Sequence, residues 1–247
     1  MKPIKIWLNP PGPNPWKVVV VMQELGIEYE IKLVKHDHLK QKPFTDINPN
    51  GRVPAIEDPN TDMILWESGA CIQYLIEQYD TKKALTYDTL KERHQLNQWL
   101  QFQMSGQGPY FGQAAWFNHL HHEKVESATD RYNGELRRVL GVLEGWLEER
   151  DWLVGDKMTY ADLTFAPWND RIDTVVCCEA GDKFKGFPRV QAWHERMTSR
   201  PAWKRSMDVR QRLMSEAGLD NNTGRPARFK TYKEYEEAIA RGENTDP

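Results

Sequence analysis

Residues 48–75 read NPNGRVPAIEDPNTDMILWESGACIQYL, and each part of this stretch has a physical reading. PAIED and MILWE are short apolar runs on either side of the turn-forming PNTD, which predicts an antiparallel strand pair. The residue before a proline is pushed to extended geometry, and Pro54 has no N–H to donate. With a cis Val53–Pro54 peptide, the Val53 N–H and C=O would be open to another extended chain; a trans proline entering an edge strand is the plainer alternative. After the second strand, the spacing of Cys71, Ile72, Leu75, Ile76 and Tyr79 predicts a helix with one buried face. Ser68 as its N-cap leaves first-turn N–H groups pointing outward at the positive end of the helix dipole, where a carboxylate binds, and Glu67 beside it is placed for an ammonium. The pair matches the two charges of an amino acid, although a serine after a glutamate also serves as a plain helix start.

Outward from this stretch, IKIWL (Ile4 to Leu8) reads as a buried strand, NPPGPNP as a loop and YEIKLV (Tyr29 to Val34) as another strand. WKVVVVMQELG is ambiguous: four successive valines favour a strand, whereas MQEL followed by Gly26 reads as a helix C-terminus. The first 80 or so residues therefore form a small α/β unit. From DTKKALTYD onward the pattern changes to long helical segments, which places a boundary near Asp80 to Thr86. Within the helical part, MTYADL carries a capping box, with Thr159 as N-cap, Asp162 at N3 and Met158 able to staple against Leu163. The last forty residues are polar, with one short amphipathic helix expected over TYKEYEEAIARG (Thr231 to Gly242), and are expected to lie on the surface.

The 247 residues carry 33 basic and 36 acidic side chains, a net charge of -3 with no concentrated basic surface, so a nucleic-acid partner is not expected. No 18-residue apolar run exists, and the apolar stretch near the amino terminus is too short for a signal peptide, so no membrane partner is expected and the cytoplasm is the expected address. Cys71, Cys177 and Cys178 form neither a C-x-x-C nor a zinc spacing and read as structural thiols. His119 and His122 stand at i, i+3 without a carboxylate or cysteine at complementary spacing, so no metal site is expected.

The valine–proline step and the acid–serine pair, at this spacing and after this order of elements, resemble the glutathione S-transferase family over essentially the whole chain. The resemblance implies an α/β plus all-α fold: a thioredoxin-like glutathione-binding domain over 1–82, an all-helical domain over 88–215 that carries the electrophile site, and a C-terminal extension over 216–247. It resolves the valine run as the first helix. It also implies that Val53 and a cis Pro54 pair with the cysteinyl backbone of glutathione while Glu67 and Ser68 take the γ-glutamyl end. Many classes keep a Ser, Tyr or Cys at the sulfur, at the end of the first strand, but Asn9 to Pro15 contains none. The pattern is instead similar to the fungal and bacterial transferases related to the yeast nitrogen-regulator prion protein, in which an asparagine before the first helix faces the sulfur; here that is Asn14. GQGPYFGQ (Gly106 to Gln113) resembles the glycine–proline break of the same group.

Arg52 and Lys40 are expected to reach the glycine carboxylate or the cysteinyl backbone, with solvated surface charges as the alternative and His38 as the counterpart that can replace Lys40. Tyr110, Phe111, Trp116 and Trp168 are candidates for the electrophile pocket, each equally readable as bundle core. The implied activity is a glutathione-dependent transferase that forms a thiolate at Asn14 and adds it to a hydrophobic electrophile, with secondary-metabolite tailoring open. Isomerisation by reversible thiol addition, disulfide or peroxide reduction, and non-catalytic regulatory binding are the alternatives. The resemblance further implies a homodimer, glutathione as cosubstrate and no metal.

Overall fold

The computed structural model describes residues 1–221 and 224–229, and beyond these only Glu234, Glu237, Ala238 and 240–243. The helix expected over Thr231–Gly242 lies largely outside the described residues. The chain begins with strand β1 (Ile4–Leu8), helix α1 (Pro13–Leu25), strand β2 (Tyr29–Leu33), the short helix α2 (Phe44–Ile47), strands β3 (Ala55–Asp58) and β4 (Met63–Trp66) and helix α3 (Ser68–Tyr79). The sheet order is β2-β1-β3-β4. β1 pairs parallel with β2, from Ile4 opposite Tyr29 to Leu8 opposite Leu33, across the α1 crossover. β3 runs antiparallel to both β1 and β4. Alternation along β1 sends Ile4, Ile6 and Leu8 to the α1 and α3 face, all fully buried, while Trp7 turns to the other face and packs on Phe44 of α2 with ring centroids 5.8 Å apart.

The valine run is helical, as the resemblance implies and local propensity does not. Each valine costs a helix roughly 0.5 kcal/mol relative to alanine, but burying its side chain returns about 1.5 to 2 kcal/mol. Val18, Val19, Val20 and Val21 are all fully buried because α1 is covered on every side, by the sheet, by α3 and by the helical region. Gly26 ends the helix in the left-handed conformation (φ 66°), and Ile27 N–H bonds back to the Met22 carbonyl.

The remainder is helical: α4 (Leu90–Phe102), α5 (Gly108–Ala115), α6 (Glu126–Trp146), α7 (Tyr160–Asn169), α8 (Ile172–Val176), α9 (Pro188–Thr198) and α10 (Pro201–Glu216). Two π-helical turns interrupt the run, Gln103–Gln107 between α4 and α5 and Trp116–Leu120 after α5. The capping box at Thr159 forms as expected. Aromatic rings fill this core: Trp99 packs on Trp146 (5.3 Å) and Phe102, and Phe165 on Trp193 (5.7 Å). α1 joins the two regions, with Glu24 bonded by both the Nε and Nη2 of Arg200 at 2.6 and 2.7 Å. None of the helices among the described residues is long and apolar enough to cross a membrane.

Of the three cysteines read as structural thiols, Cys71 is buried on α3 with its thiol pushed up to about 12 by desolvation, Cys178 is half-buried and Cys177 is exposed. Cys177 adopts a left-handed φ of 57° at the end of α8 and places its Sγ 3.5 Å from His119 Nε2.

His194 sets an acid limit on stability. It is buried between Phe184 and Trp203, its Nδ1 has no partner, and desolvation pushes its pKa from 6.5 down to about 3. The unfolded chain therefore takes up a proton that the folded chain refuses. The stability that the neutral His194 contributes is fully present above pH 6.5 and falls by about 1.4 kcal/mol per pH unit as pH drops toward 3. Urea melts of the wild type and of His194→Phe between pH 7 and 4.5 are expected to show this slope reduced in the variant by one proton's worth.

Candidate active site

The loop after β1 is anchored before it reaches α1: Asn9 Nδ2 donates to the Val34 carbonyl at 3.0 Å, and Trp16 Nε1 donates to the Pro10 carbonyl at 2.9 Å. Helix α1 begins at Pro13, not at Trp16, so Asn14 stands inside its first turn. Prolines fit early helical positions because their missing N–H has no helical partner there. With Pro13 and Pro15 both in the first turn, few main-chain N–H groups are left at this helix end, and the side chain of Asn14 is its principal donor. Trp168 Nε1 bonds Asn14 Oδ1 at 3.1 Å. An indole N–H can only donate, so this bond fixes the amide with its oxygen toward Trp168 and leaves the Nδ2 protons for another acceptor. The chain after α10 returns to the same loop, where Gly224, at φ 73°, packs so closely that an added Cβ would lie 2.7 Å from Pro11 Cβ.

Across from Asn14, the NPNGR turn is tied by Asn48, whose Oδ1 accepts from Asn50 N–H at 2.9 Å and whose Nδ2 donates to the Arg52 carbonyl at 2.6 Å. The Val53–Pro54 peptide is cis. Among the described residues no hydrogen bond outside the strand ladders involves the Val53 main chain. At the start of α3 the sequence expectation needs a small correction. The N-cap is Glu67, in an unusual φ of 70° and ψ of 118°, and Ser68 is the first helical residue. A non-glycine residue in this region is costly, and such residues cluster at active sites and ligand clamps. Glu67 is exposed, whereas Ser68 is only 2% exposed.

These pieces share one cleft of about 720 Å³ between the sheet region and the helices. Asn14, Arg52, Val53, Pro54, Glu67 and Ser68 line it together with Trp116 and Trp168. The other expected residues do not. Lys40 lies outside, its stem across Gly51 and its Nζ on the Asn50 carbonyl at 2.5 Å, so it braces the loop from behind. His38 is exposed beside Asp37. Phe111 is fully buried in edge contact with Trp168, and Tyr110 faces α6, where Arg138 sits over its ring. The cleft takes Pro109, Gly112, Gln113 and Trp116, which recur at helical spacing, and a helical sequence gives no absolute phase for which face meets the cleft. His119 turns inward to the Thr174 carbonyl, and His122 lies beside Glu123 on the surface.

Lys17 went unnoticed in the sequence because it stands in an apolar run. It is 1% exposed, lines the cleft, and lies one turn after Asn14. Its Nζ donates to Gln103 Oε1 at 2.7 Å and lies 3.4 Å from Ser68 Oγ. Desolvation pulls its pKa from 10.5 down to about 7, against an opposite pull from Glu67. The only available signal was its placement at i+3 from Asn14. Gly108, Pro109, Gly112 and Met104 complete the helical wall; a Cβ at Gly112 would stand 3.7 Å from Trp168 Cη2, so this wall is flat beside the indole.

The family description "Glutathione S-transferase, N-terminal domain" matches residues 11–78, and "Glutathione S-transferase, C-terminal domain" matches residues 107–201. The chain is 43% identical over 217 residues to the glutathione S-transferase-like protein gedE of Aspergillus terreus, covering 84% of this chain and 95% of that protein. The crystal structure of the glutathione transferase URE2P6 from Phanerochaete chrysosporium, in complex with oxidized glutathione, superposes with a TM-score of 0.82 at 41% identity, over 86% of this chain and 98% of that one. Ure2p5 from the same fungus, cocrystallized with 1-(S-glutathionyl)-2,4-dinitrobenzene, gives 0.79 at 37% identity, over 87% and 98%. An α/β region and an all-helical region meeting at this cleft, with both family domains matched in order, place the chain in the glutathione S-transferase family.

Proposed function

We propose that the cleft binds glutathione as an extended chain along Val53, ionises its thiol at Asn14, and adds the thiolate to a flat hydrophobic electrophile held against Trp116 and Trp168. The observation that carries this reading is the Asn14 amide, turned by Trp168 so that its N–H protons are free, in the same cleft as the Val53 main chain and the Glu67–Ser68 pair. An N–H donor favours a thiolate over a thiol, and no protein base is needed. The γ-glutamyl carboxylate goes to Ser68 and the first N–H groups of α3, the ammonium to Glu67, and Arg52 is the cation available to the glycine end. The electrophile wall combines two indoles with two glycines, a surface for a planar aromatic rather than a branched aliphatic group. The conjugate bound to Ure2p5 carries a nitroaromatic ring of that shape. A second arrangement, disulfide reduction through bound glutathione, draws support from the oxidized glutathione bound to URE2P6.

Calorimetric titration with glutathione is expected to show one saturable site, weakened roughly tenfold or more in Ser68→Ala, the loss of a hydrogen bond to a charged group. The wild type is expected to conjugate 1-chloro-2,4-dinitrobenzene. No binding to the wild type would sink the glutathione reading. Binding with turnover of a mixed glutathione disulfide, but none of the halonitroarene, would select reduction over conjugation.

A further inference from the structure

The cleft contains a buried lysine, Lys17, and among the described residues no buried carboxylate pairs with it. Lys17 Nζ is held by Gln103 Oε1, and the chain of amides continues inward: Gln103 Nε2 donates to Gln107 Oε1 at 3.1 Å and Gln107 Nε2 donates to Asn169 Oδ1 at 2.7 Å. Lys17, Gln103, Gln107 and Asn169 are all at most 1% exposed. Every carbonyl oxygen in this chain points toward the ammonium, so three aligned amide dipoles support a positive charge without neutralising it. The chain ends on Asn169 Nδ2, which has no partner. Gln103 and Gln107 are the first and last residues of a π-helical turn, the kind of irregularity found often at functional sites.

The groups that face Lys17 are few. From α3 come Glu67, exposed to water, and Ser68; from the π turn come the uncharged Gln103 and Met104, whose Sδ is 3.9 Å from Nζ. On α7, Asp162 is committed to Thr159, Leu153 and Trp193, and on α10, Arg200 and Arg205 bond Glu24 and Gln23 at the far end of α1. A buried ammonium in such surroundings is destabilised until an anion joins it. Ser68 Oγ, 3.4 Å away and donating to Met104 Sδ at 3.4 Å, is an atom able to meet an anion here, and it stands in the first turn of α3.

We propose that Lys17 is a positioning residue for the γ-glutamyl carboxylate of glutathione, its ammonium standing behind Ser68 as the buried counter-charge that the carboxylate completes. This rests on the glutathione reading of the cleft. It has a consequence that a packing role lacks. Lys17 is held near neutrality, and a carboxylate docked on Ser68 restores its preference for the charged form, so docking draws a proton from solvent. The ligand's own ammonium offsets part of the pull of Glu67 on Lys17. That offset is the smaller effect, because Glu67 is screened by water whereas Ser68 and Lys17 are buried.

The test is calorimetry with S-hexylglutathione, which has no thiol proton to release, at pH 8 in two buffers of different ionisation enthalpy. The wild type is expected to take up about half a proton or more per ligand bound. Lys17→Met is expected to take up none and to bind about tenfold or more weakly, and Lys17→Arg, permanently charged, to bind without uptake. Binding to the wild type without proton uptake, or the same uptake in Lys17→Met, overturns the inference alone and leaves the glutathione reading standing. Failure of the wild type to bind overturns that reading and this inference with it. The decisive arm uses the unaltered protein, so a variant that folds poorly does not rescue the idea.

Discussion

Replacing Asn14 by alanine is expected to raise the pKa of the thiol of bound glutathione from about 6.5 to about 8, a loss of roughly 2 kcal/mol of thiolate stabilisation. Moving a thiol from about 8.5 to about 6.5 requires about 2.7 kcal/mol. A hydrogen bond to a charged acceptor supplies about 1.5 to 3 kcal/mol, and a helix N-terminus about 0.3 to 1 more. The structure shifts this balance toward the side chain, because Pro13 and Pro15 strip donors from the first turn of α1. Ultraviolet titration of the thiolate in the complex reads the shift directly. An unchanged thiol pKa in Asn14→Ala would remove the proposed activator. The accompanying loss of turnover is expected to be smaller than the shift suggests. A roughly twentyfold gain in thiolate is offset about eightfold by the lower nucleophilicity of a less basic sulfur, so most of the acceleration must come from holding the electrophile beside it. Trp168→Phe, which keeps an aromatic ring of smaller size and deletes the N–H that orients Asn14, is expected to give a smaller rise of the same sign.

The largest effect on folding is expected at Asp162. Its carboxylate is fully buried and accepts from Leu153 N–H at 2.9 Å, Thr159 N–H at 2.8 Å, Thr159 Oγ1 at 2.8 Å and Trp193 Nε1 at 3.0 Å. Burial pushes its pKa up and these four bonds pull it down, with burial the larger. One side chain thus caps α7, holds the loop before it at Leu153 and pins the indole of α9. Asp162→Ala leaves several buried donors without acceptors at about 1 to 3 kcal/mol each, so a loss of at least 4 kcal/mol is expected, enough to unfold a protein of ordinary stability. Asp162→Asn keeps the shape but turns one acceptor into a donor, and about half that loss is expected. Thermal melts followed by circular dichroism measure both. A change below 1 kcal/mol in Asp162→Ala would mean that water or a neighbour replaces the carboxylate.

What could be read along the chain was whatever depends on near neighbours. The PAIED and MILWE hairpin, the Gly26 stop, the helix after Ser68 and the Thr159–Asp162 box are decided within a few residues by turn chemistry, periodicity and capping. Val53–Pro54 and Glu67–Ser68, which line the cleft, are also local, but on the residues alone each kept a plainer reading, an edge-strand proline and a helix start, and the family resemblance chose between them. The valine run was not, because its helicity depends on burial from all sides, which a propensity scale averages away. Tyr110 and Phe111 show the same limit: the composition of a helix states that rings will be buried, and only its rotation against α6 and α7 chooses which of them meet the cleft. Lys17 is the clearest case. In the sequence it is one polar residue among valines; its buried charge acquires a purpose only when Ser68, from a helix fifty residues later, and Gln103, from the other domain, come within hydrogen-bond reach. Charge in a low-dielectric interior is governed by distances between elements, and those distances are set by packing rather than by order along the chain.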